Sequence, residues 1–337
     1  MRLLLSLLAT VSLLAVSVTA SAPPAAAVPA SRIAGADRFA TSVEISRQTP
    51  SPGSVVYLAS GLSFPDALAA GPVAAAEGGH LLLTRPDAVD ASVMTRLTEL
   101  QPEEIVLVGS AATVRESVRA QLADEFPDTA ITRIGGSDRV HTSLLLLDRL
   151  AASGPVSEVW VVSGWNFPDA LVAASVAGAT SGAVVLDWHG TDPASVRGWG
   201  ERVAPYVDGV FVSIAGGAPS VSDEDESLLA ELGAVDIVRH AGMDRYDTAR
   251  LINDAYAVDG SVTSMLVATG ENFPDALAGA VLAATTGMPL YLSPGSCHPA
   301  ITPMLGAEAA EHGLTSVIGL GSAATIEDRA LALEPCA

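Results

Sequence analysis

The sequence contains no lysine, so all 17 basic residues among its 337 are arginines. A chain without lysine cannot form a lysine Schiff base, and it lacks the phosphate-binding lysine of P-loop proteins and kinases. There are 38 acidic residues, and the formal net charge is −21. Because phosphate binding needs a basic face, nucleic acid is excluded as an expected partner.

Patterns typical of catalytic or metal sites are also missing. The six histidines have no spacing typical of metal ligands, and the chain has no Gly-x-Ser-x-Gly elbow. Residues 319–324 resemble a dinucleotide fingerprint, but the first glycine of that pattern is Leu107 in the corresponding earlier segment, so we interpret it as a tight strand-to-helix turn. No catalytic residue, metal site or cofactor is therefore predicted.

The N-terminus has the pattern of a secretory signal peptide. Arg2 is followed by an apolar run over residues 3–18 and then by small residues and prolines. A membrane anchor is the alternative, but the run is shorter than the ~20 residues that a spanning helix needs. We predict that residues 1–30 are a signal peptide and linker, that the mature protein is exported, and that it has no membrane span after cleavage.

Only two cysteines occur, Cys297 and Cys336, both near the C-terminus. Export to an oxidising compartment favours a disulfide that closes the last part of the chain. Two free thiols are the alternative.

The most informative positive feature is that the chain repeats itself three times. A Gly-x-Asp-Arg-x-x-Thr motif begins at Gly35, Gly136 and Gly242, spaced by 101 and then 106 residues. A Phe-Pro-Asp-Ala-Leu motif keeps step with it, beginning at Phe64, Phe167 and Phe273. Two motifs that keep step over such distances indicate three copies of one structural unit.

Within each copy, apolar strands alternate with helices. Continuous apolar strands separated by helices of ten to fifteen residues predict a parallel sheet covered on both faces. The fold class is therefore α/β, with three tandem Rossmann-like repeats, each a small parallel sheet flanked by helices. We place the repeats at residues 31–131, 132–236 and 237–337.

The Phe-Pro-Asp motif has a structural interpretation that needs no ligand. Ser63, Asn166 or Asn272 stands three residues before an aspartate, which predicts a helix capping box with proline in the first turn. The phenylalanines are expected to be apolar plugs that fix the approach of the chain to the helix. Direct binding is the alternative, because ligands of open α/β sheets lie where strand ends face helix N-termini. The aspartates concerned are Asp66, Asp169 and Asp275.

The Asp-Arg motif has similar alternatives. Its aspartate follows a glycine turn and is expected to cap a helix. Its arginine could pair with a carboxylate of a neighbouring repeat, which is the simpler interpretation, or it could offer its planar fork to a phosphate or carboxylate of a ligand. The arginines are Arg38, Arg139 and Arg245.

Three segments carry a resemblance to a known family. They are Arg-Ile-Ala-Gly-Ala-Asp-Arg-Phe-Ala-Thr at residues 32–41, Val-Gly-Ser-Ala-Ala-Thr-Val at residues 108–114 and Ser-Gly-Trp-Asn-Phe-Pro-Asp-Ala-Leu at residues 163–171. They resemble the type 2 cell-wall-binding repeat of Gram-positive bacteria, and the likeness covers Arg32 to about Leu333. It implies three modules packed with pseudo-threefold symmetry that attach a surface protein non-covalently to anionic, teichoic-acid-like wall polysaccharide. Many relatives carry an effector domain, and this chain is similar to the anchoring part alone.

The copies differ in ways that put three equivalent sites in doubt. The second has Gly-Gly-Ala-Pro at residues 216–219 where the others have Gly-Ser-Ala-Ala, and the third lacks the trailing strand. The residue before each predicted cap also varies, as Leu62, Trp165 and Glu271. Trp165 could stack on a sugar ring or fill the core, whereas Glu271 would repel an anion, so we expect unequal sites.

The resulting prediction is a secreted, non-catalytic protein of the cell surface that binds anionic wall polysaccharide. Its candidate binding residues come from the two motifs and from the position before the second predicted cap: Arg38, Arg139, Arg245, Asp66, Asp169, Asp275 and Trp165. An extracellular enzyme with a crevice at the Phe-Pro-Asp loops and a structural surface-layer component are the alternatives.

Overall fold

Three parallel four-stranded sheets organise the chain. The structure is a computed structural model that describes residues 28–188, 193–256, 263–299 and 313–336. In spatial order, the first sheet contains β3 (His80–Thr84), β2 (Val55–Ser60), β4 (Glu104–Val108) and β5 (Ala130–Ile134). The second contains β7 (Ala183–Asp187), β6 (Glu158–Ser163), β8 (Phe211–Ala215) and β9 (Asp236–His240). The third contains β1 (Ala30–Ile33), β12 (Ser316–Leu320), β10 (Ser264–Thr269) and β11 (Leu290–Ser293).

Each sheet takes its fourth strand from the start of another repeat. Strand β5 immediately precedes the second Asp-Arg motif yet pairs with β4, and β9 precedes the third motif yet pairs with β8. Strand β1 precedes the first motif and pairs with β12 from the far end of the chain, with Arg32 opposite Gly319. The trailing strand that the third repeat lacks in sequence is thus supplied by the N-terminus. Sheets and sequence repeats are offset by one strand, and the repeat bounds given above stay a prediction.

The helices pack in layers on both sides of these sheets. Their bounds are α1 (Arg38–Gln48), α2 (Pro65–Ala76), α3 (Ala91–Leu100), α4 (Glu116–Glu125), α5 (Arg139–Ser153), α6 (Pro168–Ala179), α7 (Pro193–Val207), α8 (Asp223–Glu231), α9 (Arg245–Tyr256), α10 (Pro274–Thr286) and α11 (Asp328–Leu331). Helices α2, α6 and α10 contact one another around a pseudo-threefold axis. Each also contacts the helix that opens the next copy: α5 lies on α2, α9 on α6 and α1 on α10. The three copies therefore close into a ring, which confirms the predicted fold class.

The central helices approach closely because their facing residues are small. A Cβ atom built on Gly178 of α6 would lie 2.8 Å from the Cβ of Ala284 and 3.2 Å from that of Ala75. Such distances leave no room for a side chain on Gly178, so glycine permits the contact of the three helices. These alanine-rich helices are buried on nearly all sides, as expected for helices without a polar face.

One apolar core joins the three sheets. It contains fully buried strand residues from each of them, such as Leu58, Trp160 and Leu266. A smaller cluster beside the third sheet includes Val317, Ile326 and Leu331. Because the strands are buried on both faces, they read as continuous apolar runs in the sequence.

The predicted disulfide is present. Cys297 and Cys336 are bonded, with their Cα atoms 5.0 Å apart. The backbone N–H of His298 donates to the carbonyl of Glu334 at 2.7 Å, and that of Cys336 donates to the carbonyl of His298 at 2.8 Å. The bond and these contacts fix the C-terminus to the segment that follows β11.

The predicted signal peptide lies almost wholly outside the described residues, which begin at residue 28. Across the parts of the chain that are described, none of the helices combines the length and apolarity needed to cross a membrane.

Candidate functional site

Both repeated motifs lie at one edge of the sheets, where the parallel strands end. We call this edge the motif end and define it by residues 35–38, 61–66, 136–139, 164–169, 242–245 and 270–275. It is the edge at which open α/β sheets hold ligands.

The aspartate of the Asp-Arg motif caps a helix, as predicted. Asp37 Oδ1 accepts hydrogen bonds from the backbone N–H groups of Phe39 and Ala40, at 3.0 and 2.9 Å. Asp138 and Asp244 accept equivalent bonds at the starts of α5 and α9. These bonds satisfy backbone donors that the first helical turn would otherwise leave without a partner.

The arginine of that motif binds a strand end of its own repeat. Arg38 Nη1 donates to the carbonyl of Gly61 and Arg245 Nη1 to that of Gly270, both at 2.6 Å. Arg139 Nη1 donates to Gly164 in the same way. Among the described residues, no carboxylate oxygen lies within 4 Å of a guanidinium nitrogen of Arg38 or Arg139. Direct ion pairing with a neighbouring repeat, which was the simpler expectation, is therefore not what these two side chains do.

The predicted capping box at the Phe-Pro-Asp motif is wrong. The helices α2, α6 and α10 begin at the proline, and the cap position is held by Phe64, Phe167 and Phe273, with no hydrogen bond from a capping side chain. These phenylalanines already have helical backbone angles, for example φ −83° and ψ −31° at Phe64. An additional residue thus separates the expected cap from the helix, and the reciprocal geometry cannot form.

The aspartate that this motif contributes faces a glycine turn instead. The turns follow β4, β8 and β12, and their glycines have positive φ angles of 96° at Gly109, 102° at Gly216 and 105° at Gly321. A Cβ atom on any of these glycines would lie 2.2 to 2.5 Å from the carboxylate of Asp66, Asp169 or Asp275. Glycine is required there both by the backbone and by the carboxylate that contacts it. Residues 319–324 thus contain the end of β12 and the tight turn that follows it, as predicted.

Burial raises the pKa of all three of these aspartates above the ordinary value. The opposing influences, which stabilise the charged form, are hydroxyl hydrogen bonds and the arginine of the following copy. Ser220 Oγ, for example, donates to Asp169 Oδ2 at 3.1 Å. The positive charge of each arginine favours the charged form of the aspartate in the preceding copy. These influences form a closed cycle: Arg139 on Asp66, Arg245 on Asp169, and Arg38 on Asp275.

The three phenylalanines meet on the axis. The ring centroids of Phe64, Phe167 and Phe273 lie 5.6, 5.7 and 5.9 Å apart, and each ring is half-buried. They do act as apolar plugs, but they pack against one another rather than each within its own repeat. Two of the pairs are edge-to-face and one is tilted, and such aromatic contacts stabilise the junction at which the copies meet.

A small cavity opens between the first and second copies. Its volume is about 150 Å³, below the ~300 Å³ at which ordinary ligand pockets begin. Asp66 lines it from one copy and Arg139 from the next. Hydroxyl groups complete the lining, from Ser63, Ser110, Thr113, Ser137 and Thr142. The cavity is polar and could hold one anionic or hydroxylated substituent.

Trp165 is not core filler. Its side chain is half exposed, at 52%, and the Arg139 guanidinium lies 4.4 Å from its ring centroid. Its Nε1 donates to the backbone carbonyl of Trp188 at 2.5 Å, and the two indole rings are 5.9 Å apart. Trp188 was missed in the sequence. It directly follows β7, which neighbours the strand that leads to Trp165, so the strand order would have revealed it.

The third copy differs at the same position. Glu271 is exposed, accepts a hydrogen bond from the Tyr246 hydroxyl at 2.6 Å and lies 3.8 Å from Arg245. Leu62 of the first copy is exposed and apolar. The three copies thus share the aspartate, arginine and phenylalanine but not the residue beside them.

Metal-binding groups do not occur at the motif end or elsewhere in the described residues, where no three His, Cys, Asp or Glu side chains are placed to hold an ion. His80 and His298 are buried, which lowers the pKa of each to about 4 and keeps them neutral at pH 7.

Comparison with known proteins places this arrangement in a family. The family described as Cell wall binding domain 2 (CWB2) matches residues 32–119, 133–226 and 239–331. The chain is 28% identical over 264 residues to the N-acetylmuramoyl-L-alanine amidase LytC of Bacillus subtilis (strain 168), covering 78% of this chain and 50% of that protein. It is 27% identical over 200 residues to the amidase enhancer of the same organism, covering 59% of this chain and 26% of that one. The chain thus spans half or less of the curated relatives it matches.

Solved structures with the same fold are known. Those of Cwp6 and Cwp8 from Clostridium difficile each superpose with a TM-score of 0.76, over 91% of this chain and 48% and 51% of theirs. Their sequence identities, 24% and 22%, mean that the likeness concerns the fold. Since the family match recurs in three tandem copies over most of the chain, the protein belongs to the Cell wall binding domain 2 family, which indicates binding at the cell wall or cell surface.

Proposed function

We propose that this protein is an exported, non-catalytic anchor that binds anionic, teichoic-acid-like polysaccharide of the cell wall non-covalently through its motif end. In this proposal residues 1–30 are an export signal and linker. The disulfide between Cys297 and Cys336 supports export, because such bonds persist in oxidising compartments.

The observation that carries the proposal is the cyclic arrangement at the contacts between copies. The arginine of one copy acts electrostatically on the buried aspartate of the preceding copy, without a direct ion pair at Arg38 or Arg139 within the described part of the chain. Arg38 and Arg139 use one nitrogen to bind a strand-end carbonyl and have no carboxylate within ion-pair distance among the described residues. A guanidinium carries five N–H donors in a planar fork, so further donors can serve a phosphate or carboxylate of the polymer.

The aspartates add a second argument. Burial raises the pKa of Asp66, Asp169 and Asp275, so holding them charged at neutral pH opposes folding. An unfavourable group that recurs in every copy is expected to serve binding, because stability alone would not favour it. We assign these carboxylates to position the arginines and to accept hydrogen bonds from polymer hydroxyls.

Three similar sites on one rigid body favour adhesion over turnover. An enzyme needs its catalytic groups once, whereas several weak sites along a long polymer multiply the overall affinity. The net charge of −21 does not prevent this, because physiological salt screens charges over about 8 Å and leaves the local arginines to act.

Wall sedimentation tests the proposal. Purified Gram-positive walls should retain the mature protein, and extraction of their secondary polymers should abolish retention. Reversing three charges, in R38E/R139E/R245E, should release the protein. R115E/R119E/R197E should not, since these arginines are exposed at the start of α4, on α4 and on α7, and the change in net charge is the same. Arginine-to-glutamine versions of both triples keep the test valid if charge reversal impairs folding.

The rival functions give different results in that experiment. Retention that is indifferent to extraction, or equal loss in both triple variants, would contradict polysaccharide anchoring. Release of soluble fragments from walls by the protein alone would establish an enzyme. Concentration-dependent assembly without any wall retention would indicate a structural lattice component.

A further inference from the structure

The second copy carries an exposed aromatic pair that its sister copies lack. Trp165 and Trp188 are 52% and 38% exposed, with ring centroids 5.9 Å apart at an interplanar angle of 74°. At the position of Trp165 the other copies have Leu62 and Glu271. At that of Trp188, after the corresponding strand, they have Arg85 and Pro294. Large exposed aromatics are unusual on a protein surface and mark contact sites when they cluster.

The pair is held in one orientation. The Trp165 Nε1 hydrogen bond to the backbone carbonyl of Trp188 fixes the indole, and the Arg139 guanidinium lies 4.4 Å from the Trp165 ring centroid. Side chains that are fixed before binding lose little conformational entropy when a ligand arrives. This arrangement therefore suits recognition rather than mere coverage of a core.

Arg139, which lies over the Trp165 ring, also lines the first of two cavities that share a wall. The cavity of about 150 Å³ between the first and second copies ends at Ser137, Asp138 and Arg139. A groove of about 370 Å³ begins at the same Ser137 and Asp138 and continues between α5 and α7. The groove has the size of an ordinary ligand pocket, at ~300–1,000 Å³. It is lined further by Leu144, Leu145, Arg202 and Tyr206, among others.

We infer that the second copy holds a segment of wall polysaccharide along this path, with one pyranose ring stacked on the Trp165–Trp188 pair and neighbouring units in the two cavities. The inference rests on the proposed function and specifies its site. The C–H face of a pyranose ring is apolar and suits an indole, while its hydroxyl edge suits the polar groups of both cavities. The groove combines both kinds of lining, since it contains two leucines as well as the Arg202–Asp138 ion pair, at 2.8 Å.

The stacking contact has a signature that an ion pair lacks. Association of apolar surface with an aromatic ring is not weakened by salt, whereas attraction between Arg139 and a polymer anion is screened. Loss of the tryptophan pair should therefore lower affinity by the same factor at low and high salt.

Tryptophan fluorescence offers a direct readout. The chain has four tryptophans; Trp160 and Trp199 are buried, so neutral acrylamide quenches mainly the exposed pair. Wall polysaccharide released in soluble form should shield that pair from acrylamide. Trp188→Ala should weaken binding to this polymer by at least about fivefold, the factor that corresponds to a contact of ~1 kcal/mol. Trp188→Phe should restore most of the binding, because it retains an aromatic face.

The variant and its control are chosen so that folding does not confuse the result. Trp188→Ala keeps the backbone carbonyl that accepts the Trp165 bond. Phe211→Ala is the matched control, since Phe211 is 54% exposed in the same copy but lies at the start of β8, at the other end of the sheet. It should bind as the wild type does.

The outcomes separate the two proposals. One outcome is that the wild type binds walls while Trp188→Ala binds equally well and the polymer gives no shielding. In that case the tryptophan pair is not a binding site, and the proposal of wall anchoring is unaffected. If the loss in Trp188→Ala disappears at high salt, the contact is ionic and the stacking assignment is wrong. If the wild type is not retained by walls at all, both proposals fail.

Discussion

The two ends of the ring differ in whether the three copies use the same residues where they meet. At the motif end, the same aspartate, arginine and phenylalanine recur in all three copies. At the opposite edge of the sheets, equivalent contacts between copies use unrelated chemistry. We call the latter the base end and define it by Glu77, Glu104, Glu158, Arg149 and Tyr256.

Between the first and second copies the base end is ionic. Arg149 of α5 donates to Glu77 at 2.7 Å and to Glu104 at 2.8 Å, and the Tyr57 hydroxyl donates to Glu77 at 2.8 Å. All three charged side chains are at least three-quarters buried. Hydrogen bonding to Arg149 lowers the pKa of Glu104 below its ordinary value.

Between the second and third copies the base end is held by hydroxyl and indole groups. The Tyr256 hydroxyl donates to Glu158 Oε1 at 2.5 Å, and Trp160 Nε1 donates to Glu158 Oε2 at 3.0 Å. Ser213 Oγ donates to the same carboxylate. The fold thus accepts different chemistry at the base end, whereas the motif end repeats the same residues, which supports the binding role proposed for the motif end.

The largest expected effect is at the ionic contact. Arg149→Met keeps the aliphatic stem but leaves two mostly buried carboxylates without their cation, so it should lower the free energy of unfolding by about 2–4 kcal/mol at pH 7. Denaturant unfolding measures this loss. Wall retention of the folded variant should equal that of the wild type, and a loss of retention at full folding would show that the base end also binds.

A smaller effect is expected at the second contact. Tyr256→Phe removes one of the donors to Glu158 and should lower the free energy of unfolding by about 1–2 kcal/mol. Thermal unfolding measures it, compared with that of Tyr206→Phe, since Tyr206 belongs to α7 and lines the surface groove. A change as large as that of Arg149→Met would contradict the distinction between ionic and neutral contacts.

The smallest effect on stability is expected at the motif end. Because burial raises the folded-state pKa of Asp66, Asp169 and Asp275, any stability linked to them is present below the ordinary aspartate pKa and falls as pH rises through the raised value. The triple variant D66N/D169N/D275N should therefore be as stable as the wild type at pH 7, or more stable by up to about 1 kcal/mol. Its wall retention should nevertheless fall.

Acid should affect the two ends in opposite directions. Glu104 has a lowered pKa, so the stability that it contributes is present above the ordinary glutamate value and is lost as pH falls through the lowered one. The difference between wild type and Arg149→Met should shrink on acidification below about pH 4. Any stability advantage of the triple asparagine variant over the wild type should also disappear on acidification, but because the wild type gains stability as its three aspartates become protonated.

Local sequence signals predicted much of this architecture. The repeats, the alternation of strands and helices, the aspartate caps and the disulfide all depend on nearby residues or on spacing, and the structure has them. The capping box failed because Phe64 adopts helical angles one residue after the expected cap, which no propensity of serine or asparagine reveals.

Other features depend on contacts between distant segments. Strand β1 resembles the start of a first repeat, yet it pairs with β12 almost three hundred residues later, because the ring must close. The meeting of the three phenylalanines and the Glu158 contact with Tyr256 likewise require knowledge of which copies touch. Trp165 was found from its position in a motif, whereas Trp188 becomes meaningful only once β6 and β7 are known to be neighbours.

Hydrogen–deuterium exchange in the presence and absence of soluble wall polysaccharide tests the central claim most directly. The polymer should slow exchange at residues 61–66, 136–139, 164–169 and 242–245, and leave the base end around Glu77, Glu104 and Glu158 unchanged. Protection confined to the base end, or none at a polymer concentration that saturates binding, would contradict the assignment of function to the motif end.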